Sequence, residues 1–197
     1  TSNSIILLNL QKNIMEAQII DLKKKFEENL NNTISFLNKE LIKIRTGKAH
    51  PSLFDGIKID YYGNPTPLNQ MASINIPDAK TIVIQPWDKS VLSFIEKAIL
   101  NANLGFTPIN NGEIIRINIP QLTEERRKEY VKLAKMEGEK AKVSVRNIRR
   151  EYLEKLKKLE KEGVPEDEIK KSEKEFQDIV DNTMKQIDNL IELKEKE

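Results

Sequence analysis

The sequence contains no cysteine and only one histidine, His50, among its 197 residues. Without cysteine there is no disulfide, no thiolate metal site and no cysteine nucleophile. One histidine cannot build a histidine metal cluster, and no local motif supplies the serine and acid that a catalytic triad around His50 would need. A glycine-rich phosphate loop is also missing. These absences argue against an enzyme and predict that the chain uses no cofactor and no metal.

Long hydrophobic runs are absent as well. The apolar segment 5–10 is too short to cross a membrane, lacks a preceding basic segment and is followed by charged sequence. We therefore expect neither a signal peptide nor a membrane span, and no membrane partner. The first residue is Thr1 rather than Met, which indicates a processed or shortened chain whose upstream targeting sequence would no longer be visible.

Charge is abundant but unevenly distributed. Charged residues make up 32% of the chain, and the formal net charge is only +2. Direct count gives +3 for residues 1–50, −1 for 51–122, +5 for 123–162 and −5 for 163–197. The basic third segment and the acidic fourth segment are expected to neutralise each other in part. Any basic surface that the fourth segment leaves uncovered is free for a partner.

Three segments show the apolar spacing of long amphipathic helices. The first runs from Ile19 to Ile44 and ends near Gly47, the second runs from its N-cap Thr123 to about Glu162, and the third follows the turn at 163–165. Helices this long bury their apolar faces, so both ends of the chain should form one three-helix bundle. The apolar stripe predicted for the second helix consists of Tyr130, Leu133, Ala141, Val145, Ile148, Tyr152, Leu156 and Leu159.

Between Gly56 and Pro120 the apolar period approaches two, and β-branched runs predict strands at 57–61, 81–84 and 114–119. A short helix is predicted at 90–102, and the two prolines of the segment 63–67 predict a rigid turn. The fold class is therefore α+β, a long three-helix bundle with a small β-rich domain inserted between its first and second helices.

The predicted domains are an N-terminal extension at 1–17, the bundle at 18–46 and 122–197, and the inserted domain at 47–121. The chain enters and leaves the inserted domain through two short segments that should lie side by side. Such a pair predicts a hinge. Its residues are Thr46, Gly47, Lys48, Pro120, Gln121 and Leu122.

The segment 145–150 places three arginines within five residues of the second bundle helix. The planar guanidinium group matches the geometry of phosphate, so this pattern indicates a nucleic-acid partner. A solvated helix face is the alternative, because charged helix faces commonly have no further role. Basic residues at steps of 4, 3, 7, 4 and 3 extend the arginines into a basic edge: Lys128, Lys132, Lys135, Lys142, Arg146 and Arg149.

Several strings of residues resemble the ribosome recycling factor family, and the resemblance covers residues 18–195. The strings are Ile44-Arg45-Thr46-Gly47 with Pro51-Ser52-Leu53, Tyr61-Tyr62-Gly63 with Pro65-Thr66-Pro67-Leu68, Leu122-Thr123-Glu124-Glu125-Arg126-Arg127-Lys128, and Val145-Arg146-Asn147-Ile148-Arg149-Arg150. The resemblance implies a three-helix bundle joined by a flexible hinge to a small β/α/β domain, in an L shape like that of transfer RNA.

The resemblance also implies a function without covalent chemistry. Such factors bind the ribosome after termination and, with elongation factor G and its GTP hydrolysis, split the ribosome into subunits. The bundle would lie against large-subunit ribosomal RNA across the transfer-RNA sites, and the β domain would face elongation factor G. RNA contact is implied for Arg146, Arg149 and Arg150, with Arg45 near the hinge, and the protein is expected to act as a monomer.

The chain departs from the family pattern at Lys48, where arginine is usual, and at Trp87, where phenylalanine is common. Residues 1–17 also precede the point where bacterial members generally begin. Together with abundant Asn, Lys and Ile, this extension resembles an organelle-targeted member in the stroma or matrix, with the apicoplast or a plastid favoured over the mitochondrion. A bacterial cytoplasmic protein with an extended start is the alternative.

A second class of function also fits the helical pattern. The bundle would then be an adaptor that recognises a protein partner, and the basic edge would only be solvated. Such a protein should sediment with its partner and be indifferent to ribosomes or to ribonuclease.

Overall fold

The computed structural model describes residues 2–197, which divide into two compact units. One comprises the chain up to Leu41 with Lys132–Lys196, and the other comprises Ile42–Val131. The predicted α+β class is confirmed, because helical segments at both ends of the chain enclose a small β domain in sequence. The helices are α1 (Ser2–Ile42), α2 (Leu92–Asn101), α3 (Glu124–Lys161) and α4 (Glu166–Lys196). The strands are β1 (Lys58–Tyr61), β2 (Asn64–Pro67), β3 (Ala72–Asp78), β4 (Thr81–Pro86), β5 (Pro108–Asn110) and β6 (Ile115–Asn118).

Aromatic side chains form the centre of the bundle. Phe26 of α1 is fully buried and stacks on Phe176 of α4, with ring centroids 4.4 Å apart and planes 10° apart. The ring of Tyr152 on α3 lies 5.3 Å from that of Phe26. Asn29 Nδ2 donates a 2.6 Å hydrogen bond to the Tyr152 hydroxyl, so the polar end of this ring is satisfied. One aromatic cluster therefore joins all three long helices.

Helix α1 is longer than the apolar stripe predicted. It begins at Ser2 rather than Ile19 and ends at Ile42. Residues 2–18 contain no Gly or Pro to stop a helix, but their apolar residues lie all round it instead of on one face. The large apolar side chains of this added part, such as Leu7 and Leu8, are exposed. No described helix is both long and apolar enough to cross a membrane.

The predicted limits of α3 are confirmed. Thr123 is its N-cap, because the backbone N–H of Arg126 donates to Thr123 Oγ1 over 3.2 Å, and Gly163 turns the chain towards α4 with φ +114°. The predicted buried position of Leu133 is wrong, since this side chain is 42% exposed and Ala134 is buried instead.

Small residues explain that shift of the α3 stripe. A Cβ atom added to the buried Gly138 would lie 2.8 Å from Cγ1 of Ile191 on α4. The two helices therefore approach each other more closely than a larger residue at position 138 would permit. This approach turns Ala134 and Gly138 towards the partner helices and leaves Leu133 at the edge.

The small domain contains a four-stranded antiparallel sheet in the order β3-β4-β6-β5 and a separate β1-β2 hairpin. The inner face of the sheet carries the cross-strand pairs Ile84–Ile115 and Ile82–Ile117, which are all fully buried. Ile95 and Ile99 of α2 belong to the same apolar cluster. The core of this domain is thus built from isoleucine alternation on two central strands and one helix face.

The rigid turn predicted at 63–67 is wrong. Residues Asn64–Pro67 form β2, which pairs with β1 in the register Tyr61–Asn64 to Lys58–Pro67, and the turn is reduced to Tyr62 and Gly63. Proline is tolerated here because the two-stranded hairpin leaves one side of β2 without a ladder partner. Strands β3 and β5 were not predicted at all, since Pro77 and Pro108 obscure their alternation.

Side-chain caps position the short turns of this domain. Asp88 caps the single turn Lys89–Val91 that leads into α2, because Asp88 Oδ1 accepts from the backbone N–H of Ser90 over 3.0 Å. This hydrogen bond holds the pKa of Asp88 below its usual value. His50 has a similar role, since its Nδ1 accepts from the backbone N–H of Ser52 over 3.1 Å and caps the single turn Pro51–Phe54. The single histidine is thus exposed and used in a local cap.

Replacing Phe26 by alanine should destabilise the bundle strongly. The side chain is fully buried between two aromatic rings, so its loss should lower the free energy of unfolding by about 3–5 kcal/mol. Urea unfolding of both proteins measures this change. Phe36 is a matched control on the same helix, because it is 62% exposed, and its replacement by alanine should cost less than about 1 kcal/mol. Equal effects of the two substitutions would contradict the aromatic core.

Candidate nucleic-acid interface

The buried face of α3 fixes the direction of its basic side chains. Val145, Tyr152 and Leu156 are buried against the other bundle helices. Each residue of an α-helix is rotated by about 100° about the helix axis from the one before it, so the angle of each basic residue can be counted from Val145. Arg149, Lys142 and Lys135 lie about 40°, 60° and 80° from the centre of the stripe. Arg146 lies about 100° from it, and Lys132 and Arg150 about 140°.

Lys142 is held within the bundle. Its Nζ lies 2.7 Å from Asp188 Oδ1 on α4 and 3.8 Å from Glu139 on α3, and only 23% of its side chain is exposed. The hydrogen bond to Asp188 raises the pKa of Lys142, against the effect of partial burial. The lysine is therefore charged at neutral pH, and its charge is already paired.

Arg149 is oriented by α4. Its Nε donates a 2.7 Å hydrogen bond to Oε1 of Gln177, and Nε2 of Gln177 donates to Asp181 over 2.9 Å. These two linked hydrogen bonds fix the plane of the Arg149 guanidinium group. The hydrogen bond uses Nε, so the two terminal nitrogens of Arg149 are available to a partner.

Three other cations, two of the basic edge and the neighbouring Arg150, are not held within the fold. Arg146, Arg150 and Lys132 are exposed, and none of them makes a hydrogen bond or ion pair with another of residues 2–197. Lys128 and Lys135 form exposed ion pairs with Glu124 and Glu195 at 3.6 and 3.8 Å. Exposed pairs of this kind contribute little and are readily exchanged for a phosphate.

Whether a basic residue of α3 has a partner on α4 depends on its angle from the buried stripe. Arg149, Lys142 and Lys135 have the smallest angles, and all three meet side chains of α4, namely Gln177, Asp188 and Glu195. Arg146, Lys132 and Arg150 have the largest angles and, within residues 2–197, meet none. The residues on α4 were missed by sequence reasoning, although the angle of each basic residue from the predicted stripe was a usable signal.

Arg45 lies in the other unit, where it packs within the small domain. Its guanidinium carbon lies 5.4 Å from the centre of the Phe106 ring, and Nη2 is buried without a hydrogen-bond partner among the described residues. Gly105 makes room for it, since an added Cβ would lie 3.0 Å from Nη1 of Arg45. The arginine therefore anchors the segment that precedes the small domain.

The two segments named as a hinge lie side by side. A cavity of about 20 Å³ is lined by Thr46 from the entering segment and by Pro120 and Leu122 from the leaving segment. The backbone N–H of Lys48 donates to Thr46 Oγ1 over 3.4 Å, and Gln121 is exposed. Gly47 has open space around it, since no described atom lies within 4 Å of an added Cβ.

Residues 2–197 contain no group of three or more histidine and carboxylate side chains that could hold a metal ion. What the described side chains offer instead is a row of cations on a rigid helix. Arginine and lysine at such intervals suit a partner with regularly spaced phosphates.

Comparisons with known proteins point to one family. A family model described as ribosome recycling factor matches residues 37–197. A ribosome-recycling factor of Flavobacterium johnsoniae is 48% identical over 183 residues, which cover 93% of this chain and 98% of the relative.

Two solved structures agree with this match. The solution structure of a ribosome recycling factor is similar with a TM-score of 0.72 and 38% identity, over 91% of this chain and 96% of the other. The second is the T. thermophilus ribosome recycling factor in models with E. coli elongation factor G bound to the E. coli post-termination complex. It matches with a TM-score of 0.64 and 44% identity, over 91% of this chain and 97% of the other.

Replacing Asp188 by asparagine should destabilise the bundle modestly by removing the partner of Lys142. We expect a coupling of about 0.5–1 kcal/mol in a double-mutant cycle with Lys142→Gln, measured by urea unfolding at low salt. Because the pKa of Lys142 is raised above its ordinary value of 10.5, the coupling should be present at neutral pH. It should disappear as pH rises through that raised value.

The exposed pair Lys25–Asp21 is the matched control for this cycle. Both of its side chains are at least 60% exposed, so their coupling should be smaller and more sensitive to salt. A Lys142–Asp188 coupling no larger than the control would show that the pair adds nothing beyond surface attraction.

Proposed function

The chain belongs to the ribosome recycling factor family, and we propose on this premise that it is a translation factor of ribosome recycling. It binds the post-termination ribosome and, with elongation factor G, splits the ribosome into subunits for another round. The GTP is hydrolysed by the partner, and the chain itself catalyses no covalent change. The structural neighbour in models with elongation factor G on a post-termination complex supports both partners.

The observation that carries the binding step is the set of free cations on α3. Arg146 and Arg150 are exposed without a partner among residues 2–197, and Arg149 is held in one orientation by Gln177. Structured RNA offers phosphates and shape more than readable base edges, so a rigid row of guanidinium groups suits it. We place this row against large-subunit ribosomal RNA at the transfer-RNA sites.

The remaining basic residues have different parts in this proposal. Lys132 contacts phosphate directly, while Lys128 and Lys135 first exchange their exposed carboxylate partners for phosphate. Lys142 contributes to the positive potential but keeps its internal pair with Asp188. Arg45 acts indirectly, since it packs against Phe106 within the small domain.

The domains and the compartment are also part of the proposal. The bundle binds RNA as a monomer, and residues 46–48 and 120–122 bend so that the small domain can transmit force from the GTPase. The relatives named above are bacterial, which supports a compartment with bacterial-type ribosomes. The stroma or matrix of an organelle is the narrower proposal and rests on residues 1–17 together with the abundance of Asn, Lys and Ile, with bacterial cytoplasm as the alternative.

A subunit-splitting assay tests the function and the arginine edge together. Wild-type protein should split post-termination ribosomes only when elongation factor G and GTP are both present. Arg146→Glu should weaken ribosome binding at least about tenfold, because a charge-assisted hydrogen bond is replaced by repulsion. The log-log slope of binding against salt should fall by about 0.7–0.9 for each phosphate that the variant no longer binds.

Lys171→Glu is the matched control for Arg146→Glu. It makes the same change of charge on the exposed surface of acidic α4, away from the basic edge. Ribosome binding should be close to that of wild type. An Arg146→Glu protein that remains folded and binds ribosomes with an unchanged salt slope would refute direct binding of phosphate by Arg146.

Gly47→Ala tests the bending of the entering segment. The added methyl group meets no described atom within 4 Å, so the fold should be unchanged, while the segment loses conformational freedom. We expect a several-fold lower rate of subunit splitting and unchanged ribosome binding, measured by light scattering and by pelleting. A variant that splits ribosomes at the wild-type rate would argue against bending at Gly47.

A further inference from the structure

The tip of the β1-β2 hairpin carries a tyrosine in an unusual backbone conformation. Tyr62 has φ +50° and Gly63 has φ +83°, and the flanking residues Tyr61 and Asn64 pair with each other. Two consecutive residues of positive φ are what a tight hairpin turn of this length requires. Glycine and asparagine occupy such positions readily, whereas a bulky side chain is strained there.

The side chain of Tyr62, whose backbone is strained, is also mostly exposed. Tyr62 has 84% of its surface accessible, more than any other large apolar or aromatic residue among the described part of the chain. Burial therefore does not compensate for the strain. Its ring is nonetheless held in place, because it meets the ring of Tyr61 edge to face with centroids 4.6 Å apart and planes 73° apart.

An exposed, oriented aromatic ring on a strained backbone position has the properties of a binding anchor. Tyrosine is enriched among the residues that dominate protein interfaces, and an anchor that is already oriented loses little freedom on binding. Strained residues that persist without a structural benefit are concentrated at functional sites.

The charges around the hairpin favour a protein over RNA as the partner. Lys58 is the only basic residue between positions 55 and 70, and the segment 51–122 has a net charge of −1. Asp60, two residues before the tyrosine, is exposed. This surface would repel phosphates but attract a cationic side chain, which can also lie over a tyrosine ring.

We propose that Tyr62 is the anchor through which the small domain docks onto a protein partner. The partner offers an apolar slot for the ring and an arginine or lysine side chain for Asp60. The inference rests on the proposed function, in which the protein partner of the small domain is the GTPase. The hairpin tip is then the docking point, and the strain at Tyr62 is retained for the sake of this interaction.

Three substitutions separate the ring from the strain. Tyr62→Phe keeps both, Tyr62→Ala keeps the strain without the ring, and Tyr62→Asn removes the ring and relieves the strain. We expect subunit splitting to depend on the presence of the aromatic ring. With Ala or Asn, the GTPase concentration needed for half-maximal subunit splitting should rise about tenfold, the equivalent of about 1.4 kcal/mol. With Phe it should stay near the wild-type value.

Stability should follow the strain instead. Tyr62→Asn should move the urea midpoint to a higher concentration than wild type, although it docks more weakly. Tyr62→Ala should not move it upward. Asp60→Asn should raise the required GTPase concentration by a few-fold, and this effect should shrink as salt is added.

Each other outcome overturns part or all of this inference. Unchanged splitting by Tyr62→Asn and Tyr62→Ala would refute the anchor. Loss of ribosome binding by these variants in the absence of the GTPase would show that the hairpin docks onto the ribosome rather than onto the GTPase. If wild-type protein neither binds nor splits ribosomes, the proposed function itself is wrong, and the docking inference falls with it.

Discussion

The packing of Phe26, Tyr152 and Phe176 is the constraint on which the bundle depends. It joins α1, α3 and α4 at one level, with the rings of Phe26 and Phe176 stacked at 4.4 Å. A ring stack of this kind fixes the rotation of each helix about its axis as well as the distance between axes. Once α3 cannot rotate, the direction of every side chain along its 38 residues is set. The position of the arginines is therefore a consequence of core packing.

The architecture was predictable because long helices and short strands have different apolar periods. The limits of α3 and the cap at Thr123 were predicted correctly, since capping residues and glycine mark helix ends locally. The errors lie where local signals conflict with tertiary context. Asn64–Pro67 looks like a turn because of its prolines, yet it pairs with β1 as a strand. The spacing of Leu133 fits the predicted buried stripe. The close packing of Gly138 against α4 instead leaves Leu133 at the edge of the buried face.

The location of the candidate interface was predictable from the sequence, but which of its cations pair with side chains of α4 was not. The sequence indicates which residues are basic and that they share one side of α3. Whether a given cation is paired depends on the neighbouring helix, and the pairs Arg149–Gln177 and Lys142–Asp188 join residues 28 and 46 positions apart. Arg45 shows the same limit, because its packing on Phe106 requires the fold of the small domain.

The acidic helix α4 explains why the basic edge is not uniform. It carries a net charge of opposite sign to that of α3, so it could neutralise part of the edge. Its side chains reach only those cations within about 80° of the buried stripe, because the helix axes are fixed by the core. Cations farther round remain exposed to solvent. The core thus divides one row of basic residues into an inner set that meets side chains of α4 and an outer set that α4 does not reach. A bundle whose α3 were turned by one residue, about 100°, would change which cations α4 reaches without any change in net charge. Geometry, rather than the amount of positive charge, therefore decides which of these cations remain without a partner on α4.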